Sequence, residues 1–586
     1  MDKDNLIEPG TGDAGVEKAV SECGAGETVK DAGAESGKTG GNVGGAAKTI
    51  SFIMIITLLG KLLGLYRNRL LAVTCGTGML ANAFSTASRI PRVFFDVLFA
   101  SAISASFIPI YTEYREKKGK DAAQRFAGNF ITVIGAVTLI LSLAGVIFSD
   151  QLVTLFAPEY SAETAALCSN LTKIMIPTLF FTGIAYSFVG ILQAEGEFNI
   201  PALISVVSNL IIIIYYLFLF DDFGVYGLSV AFLIGWGMQA AVQIPSLKKK
   251  KYRFRFSMDL RNDGIRKVMR LMIPVMVSTW VQPIILMINS RYASSLYDGG
   301  GVTMLDLAND MYLIIAGVFV LSVTNVIFPK LAKQTASDDI AGFTSTVRSS
   351  TQISLFFIIP MMAGLMALSR EVIDLIYGGG EFGTSDVNLT SKAMFFISLG
   401  MVGYALQNIL CRVYYARQDG RTPLVAGAIS IVSNIIFAKV LVGPMGIAGL
   451  GLASAISSTV YAAALLVPLQ RASKSGGAGK HKSGAAVRAD GCESKNDGGV
   501  TNGGGSGMLK NAKIIDRKMA VNLLKVCISA AIMYIGVRLC AKLLTGLLSG
   551  IAGKVLVLVV PTIVGIVIFF ALAFILRTDE IKYVKR

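Results

Sequence analysis

Several charged side chains stand inside long apolar runs of this sequence, and their chemistry demands an explanation. The segment GKLLGLYRNRLLA places Lys61, Arg67 and Arg69 in one run, and SRIPRVFFDVLF places Arg89, Arg92 and Asp96 in the next. A charge at membrane depth costs roughly 2.5–3.5 kcal/mol on insertion scales, so it is retained where it faces a wet cavity or a partner. Lys61 and Arg67 are six residues apart, and Gly60 and Gly64 leave room on nearby faces, which suits an inward-looking pair. The competing reading for Arg67 and Arg69 is a pair at a helix end whose heads snorkel to the interface. Arg92 and Asp96 stand at i, i+4 and could neutralise one another, while Arg89, Arg92 and Asp96 share the face a cavity lining needs. Further on, Arg291 falls late in an apolar run, and Asp306, Asn309 and Asp310 fall early in the following one, where a solvated helix end is the alternative.

Arginines in a water-filled cleft suit a diphosphate, because guanidinium stays ionised and offers forked donors to phosphate oxygens. Other chemistries lack their residues. The single histidine, His481, lies in a Gly/Ser/Lys-rich stretch, which removes His-based catalysis and zinc chemistry from the apolar region. Seven cysteines are scattered without a C-x-x-C, so neither a disulfide framework nor a metal cluster is indicated. No G-x-x-x-x-G-K-[ST] is present for ATP, and YGGGEFG at Tyr377 to Gly383 falls in an inter-helix loop rather than after a strand. The expectation is no covalent catalysis, no cofactor and no metal, with transport driven by an ion or by the membrane potential. A sodium or proton site could use Asp310, Asn408 or Asn434, and the sequence does not rank them.

These residues must be positioned by membrane helices. The chain has 586 residues, 53% hydrophobic and 16% charged, with mean hydropathy +0.62. A spanning helix needs about 20 apolar residues, and continuous rather than alternating runs imply helices, not a barrel. The expected fold is an all-α polytopic membrane protein of about fourteen helices, at 50–75, 81–110, 126–148, 162–192, 200–220, 225–246, 271–295, 303–329, 350–370, 388–415, 423–442, 446–468, 520–546 and 555–576. The net charge of +16 does not point to nucleic acid, because the cations cluster in particular loops. Residues 111–125 hold Arg115, Lys117, Lys118, Lys120 and Arg125, and 247–270 opens with Lys248 to Lys251, whereas 149–161, 221–224 and 296–302 carry no Lys or Arg. By the positive-inside rule both termini are expected in the cytoplasm.

The chain also repeats itself. FIPIYTEY matches IFPKLAKQ, with Pro109 and Pro329 220 residues apart; PALISVVSNL from Pro201 echoes PLVAGAISIVSNI from Pro423; and GVYGLSVA at Gly224 echoes GIAGLGLA at Gly446. Two six-helix bundles are expected, 48–247 and 248–470, preceded by a disordered tail 1–47 that lacks a signal-peptide h-region, and followed by a flexible linker 471–519 and two added helices in 520–586. Such parallel repeats place a substrate pathway between two lobes, with alternating access by rocking one against the other.

The segments GKLLGLYRNRLLA, NAFSTASRIPRVF, SFIPIYTEY, LFAPEY, GILQAEGEFNIPA, QIPSLKK and YYARQDGRTP, the last from Tyr414 to Pro423, resemble in order and context the MurJ (MviN) family of lipid II flippases, within the multidrug/oligosaccharidyl-lipid/polysaccharide exporter superfamily. The resemblance runs from about residue 50 to 470, plus the last two helices. It implies a two-lobed fold in the bacterial inner membrane, a cationic cavity for a diphosphate head group, and a groove along helices 13 and 14 for a polyprenyl tail. It also implies movement of the peptidoglycan precursor to the outer leaflet, with membrane phospholipids and peptidoglycan-synthesis enzymes as further partners. By position Lys61 and Arg67 match two cationic family sites of helix 1. Asn68 stands where the family carries an acid after the helix 1 arginine, and Asn82 where it carries one in helix 2. The helix 2 arginine falls at about Phe95 or Asp96, and the helix 8 arginine at Asp310. Asp96, Asp310, Asn68 and Asn82 are therefore candidates for coupling or gating, and Arg92 and Arg291 for substitute charge beside Lys61, Arg67 and Arg89. The alternatives are an exporter of another polyprenyl-diphosphate glycan or of a drug, and a non-transporting cell-wall scaffold.

Overall fold

The computed structural model describes residues 43–337, 339–417, 419–475, 517–546 and 550–580. In chain order its helices are α1 (Val43–Cys75), α2 (Met79–Lys118), α3 (Lys120–Ile147), α4 (Ser149–Phe156), α5 (Ala162–Met175), α6 (Thr178–Ala194), α7 (Asn199–Phe218), α8 (Phe220–Ala241), α9 (Ile244–Lys249) and α10 (Asp263–Thr279). There follow α11 (Val281–Ala293), α12 (Gly301–Ala336), α13 (Ile340–Ala367), α14 (Ser369–Tyr377), α15 (Thr384–Ser398), α16 (Met401–Ala416), α17 (Arg421–Met445), α18 (Ile447–Ser475), α19 (Arg517–Thr545) and α20 (Gly550–Ile575). Among the described residues, pairing of the β type is confined to an isolated bridge between Gly379 and Phe382, as expected where every backbone group must be satisfied within its own segment.

Ten stretches among the described residues are long and apolar enough to cross a membrane, or eleven if the α15–α16 pair, bent by 44°, is one span. Three of the fourteen expected spans lie outside that set. They are helical too, in α1, α2 and the α10–α11 pair, but α1 carries Lys61, Arg67 and Arg69, α2 carries Arg89, Arg92 and Asp96, and the third is interrupted at Trp280. The first helix begins at Val43, inside the expected tail 1–47, while most of that tail and of the linker 471–519 lies outside the described residues.

The sequence repeat has a backbone counterpart. Pro201 is the third residue of α7 and Pro423 the third of α17, first-turn positions where a missing N–H costs nothing. Gly224 (φ 55°) breaks the start of α8 and Gly446 (φ 58°) separates α17 from α18. Both lie in the region that favours glycine, which explains why glycine recurs at matched places in the two copies.

Contacts divide the chain into two compact units that alternate along it. Among the described residues, the first comprises those up to Gly64, Phe94–Ile147 and Ile174–Thr279; the second comprises Leu65–Val93, Phe148–Lys173 and those from Trp280 onward. The first is centred on an aromatic cluster in which Phe107 stacks on Phe130 at 4.5 Å and on Phe126 at 5.6 Å. Within the second, Val281, Leu331, Val413, Tyr414 and Leu465 share a core. There α19 packs on α20 and on α13, and both are tied to α14 by ion pairs, Arg538 to Glu371 at 3.0 Å and Lys554 to Asp374 at 2.9 Å. Elsewhere α20 leaves Ile551, Val567 and Ile575 exposed, as a lipid-facing helix does.

Candidate functional site: a cationic cluster on α1, α2 and α12

Helical periodicity puts Asp306 and Asp310 one turn apart on α12, and each meets one of the cationic helices. Arg67 on α1 directs Nε and Nη2 to Asn68 Oδ1 at 3.1 and 2.9 Å, and Asn68 Nδ2 donates to Asp310 Oδ2 at 2.5 Å. On α2, Arg89 is 8% exposed and forms an ion pair with Asp306. Two arginines and two carboxylates are thus gathered in the second unit. Since a buried charge survives only when paired, this clustering explains why α1, α2 and α12 tolerate ionised residues. Arg89, Asp306 and Asn309 also line a pocket together with Gln282, Asn289 and Ser454. In it Asn289 Nδ2 donates to Ser454 Oγ at 2.9 Å, while Asn289 Oδ1 is buried without a partner. Ile285, Leu286, Leu305 and Ile397 also line it, so the surface mixes polar and apolar groups.

Two departures from the resembled family pattern, Asn68 and Asp310, prove to be direct neighbours. Through Asn68, the Asp310 carboxylate is linked to the Arg67 guanidinium.

A second set of contacts fixes the frame. Arg69 Nη1 donates to the carbonyls of Leu375 at 2.8 Å and Ile376 at 2.6 Å, satisfying last-turn carbonyls of α14 that have no helical donor and placing a cation at the negative end of its dipole. Arg69 is therefore a cap on α14, not a snorkelling residue. The YGGGEFG loop docks on the end of α1 by Glu381 N–H to Val73 C=O at 2.9 Å. Gly380 has φ 55°, and a Cβ there would collide with the Val73 carbonyl. Asn82 is a buried crosslink: its amide donates to Thr77 C=O at 2.8 Å and accepts from Thr303 at 2.6 Å, and Tyr160 donates to its carbonyl at 3.1 Å. Thr77 in turn reaches Asp386 at 2.7 Å.

The other predicted residues are placed as follows. Lys61 belongs to the first unit and is exposed, on a stretch of α1 held by Asn209 Nδ2 donating to Gly60 C=O at 3.2 Å. Arg92 is exposed, and the side chain of Asp96 lies outside the described residues. Arg291 does not line the pocket; its Nη1 lies 3.5 Å from the Leu155 carbonyl at the end of α4. Asn408 donates to Tyr404 C=O at 2.7 Å, and Asn434 is buried with neither amide atom partnered. Sequence reasoning missed the roles of Thr303, Asn289 and Tyr160, although Tyr160 closes the quoted segment LFAPEY. The only signal for them was a polar residue at the edge of an apolar run, which many structural threonines share.

The family model for the lipid II flippase MurJ matches residues 71–487. A probable lipid II flippase MurJ of Vibrio cholerae is 29% identical over 428 residues, covering 70% of this chain and 81% of the relative. That of Haemophilus influenzae is 28% identical over 435 residues, covering 71% and 85%. Among solved structures, a lipid II flippase MurJ in an inward closed conformation matches with TM-score 0.70 at 24% identity, covering 90% of this chain and 99% of the other. An inward-facing multidrug resistance transporter of the MATE family matches with TM-score 0.58 at 16% identity, covering 72% and 97%. The chain belongs to the MurJ family of lipid II flippases.

Proposed function

We propose that this protein is a flippase that carries lipid II from the cytoplasmic to the outer leaflet of the bacterial inner membrane by alternating access, supplying peptidoglycan synthesis. The observation that carries the reading is the cluster of Arg67 and Arg89 with Asp306 and Asp310 on otherwise apolar helices, in a chain of this family. Arginine paired to carboxylate is held ionised and can exchange that partner for a diphosphate, whose oxygens accept the same forked donors. Arg92, exposed one turn from Arg89 on α2, supplies further positive charge for the head group. The apolar faces of α19 and α20 accompany the polyprenyl tail, which need not leave the hydrocarbon. Translocation needs no covalent step; an ion gradient or the membrane potential supplies the free energy, and both termini face the cytoplasm.

The test is complementation. A bacterial host depleted of its own lipid II flippase is supplied with this chain, and lipid II in the outer leaflet is followed with an externally added lipid-II-cleaving toxin. Restored growth together with restored cleavage supports the reading. Good membrane expression without either refutes it.

A further inference from the structure

The stretch between α9 and α10 is not used by the cationic cluster. Residues 248–270 contain ten Lys or Arg against Asp259 and Asp263. Between Tyr252 and Asp259 the chain is neither helix nor strand, yet it is fastened along α3. Lys120 Nζ donates to Lys250 C=O at 3.0 Å and Gln124 Nε2 to Lys251 C=O at 3.0 Å. Asn129 exchanges two hydrogen bonds with the Asp259 backbone, both 2.8 Å. Gly128 lets the Arg255 carbonyl approach so closely that a Cβ would collide with it. The backbone is consumed by this docking and Tyr252 packs on the aromatic cluster, whereas the other large side chains are turned away. Arg253 and Arg255 are exposed, and so are Phe254 (53%), Phe256 (78%), Met258 (57%) and Leu260 (58%).

Large apolar side chains held in water on a rigid strap are unfavourable, and interleaving them with cations does not mend that. Both are accommodated at a membrane surface. A spanning stretch ends at Lys249, so the strap begins at the level where head groups lie, and basic juxtamembrane segments are attracted to anionic lipid while aromatic rings settle at the interface. We propose that residues 248–261 form a binding surface for anionic phospholipids, in which Lys248, Lys249, Lys251, Arg253 and Arg255 meet the head-group phosphates and Phe254, Phe256 and Met258 enter the interfacial layer, while Lys250 donates to the Glu195 carbonyl. Charge complementarity favours this occupant over an acidic protein, which would leave the apolar side chains uncovered unless it carried a matching apolar face.

The full chain is reconstituted with Phe256→Trp as sole tryptophan, Trp236 and Trp280 being replaced by Phe. Quenching by shallow-brominated phosphatidylglycerol is compared with quenching by brominated phosphatidylcholine, and Phe254→Trp serves as an independent reporter. The expected result is stronger quenching by the anionic lipid, with the preference reduced by about fivefold or more in Arg253→Gln/Arg255→Gln, the equivalent of at least one basic residue near the surface. Equal quenching by both lipids would mean insertion without head-group recognition, and no quenching of either reporter would place the strap off the membrane. Either result overturns the proposal.

Discussion

Replacing Asp306 by Asn removes the counter-charge of Arg89 and leaves a guanidinium stranded among α2 and α12. Breaking a fully buried pair costs about 3–5 kcal/mol. Here the Arg89 side chain is 10% exposed and that of Asp306 is 29% exposed, so partial solvation reduces the expected loss to about 2–3 kcal/mol. The loss comes from the orphaned cation, so it should be relieved when the cation goes too. Arg89→Met/Asp306→Asn is expected to recover to within about 1 kcal/mol of the parent, giving a coupling energy near 2 kcal/mol in the double-mutant cycle. The assay is unfolding of purified protein in detergent, followed by tryptophan fluorescence and by retention of a monodisperse peak. Flipping should fail in the double variant despite its stability, since the pair's cation is absent. A coupling below about 0.5 kcal/mol, the range of independent sites, would refute the assignment of Arg89 and Asp306 as a buried pair.

Other consequences are open to test. Arg69→Gln should destabilise the second unit by about 1.5–3 kcal/mol, the usual worth of hydrogen bonds from a charged donor, and hydrogen exchange should rise at the end of α14. Gly380→Val forces a β-branched residue into positive φ against the Val73 carbonyl, so proteolysis within Tyr377–Gly383 should accelerate at least several-fold. At the overhanging end of α2, beyond the expected span 81–110, the hydrogen bond from Lys267 at 2.7 Å holds the Glu113 carboxyl below its usual range, with Lys117 adding to it. A depressed carboxylate pKa gives stability present above the unfolded value, about 4.3, and lost as pH falls through the folded one. Lys267→Gln should therefore flatten the acid limb of the stability profile below about pH 4 and leave the neutral region less stable.

Much of the fold was legible because membrane helices announce themselves by composition. The repeat could be read from a few matched residues, since Pro201 with Pro423 and Gly224 with Gly446 each answer a local backbone demand that recurs in both copies. What local pattern could not give was partnership. Asn68 and Asp310 were each singled out as departures from the family pattern, but they are 242 residues apart, and nothing in either segment says that the two meet. Snorkelling was the competing reading for Arg69 because its neighbours are apolar, and the α14 carbonyls it caps lie about 300 positions further on. Asn82 attracted notice for its place in the family pattern, yet its amide is consumed by Thr77 and Thr303 and Tyr160 reaches its carbonyl, so it works as a crosslink. Polar residues at helix edges carry no tag to separate such anchors from surface. The three spans most charged or broken are also those where hydropathy weakens, since the residues that serve a site are the ones that depart from the rule for spanning lipid.

The central claim is that Arg67 acts on the substrate as a cation. It is tested most directly by measuring toxin-accessible lipid II in flippase-depleted cells that carry the parent chain, Arg67→Lys or Arg67→Glu at equal membrane expression. Flipping that persists in the parent, weakens with lysine and is abolished by glutamate is the predicted result. Full flipping by the glutamate variant would contradict the account.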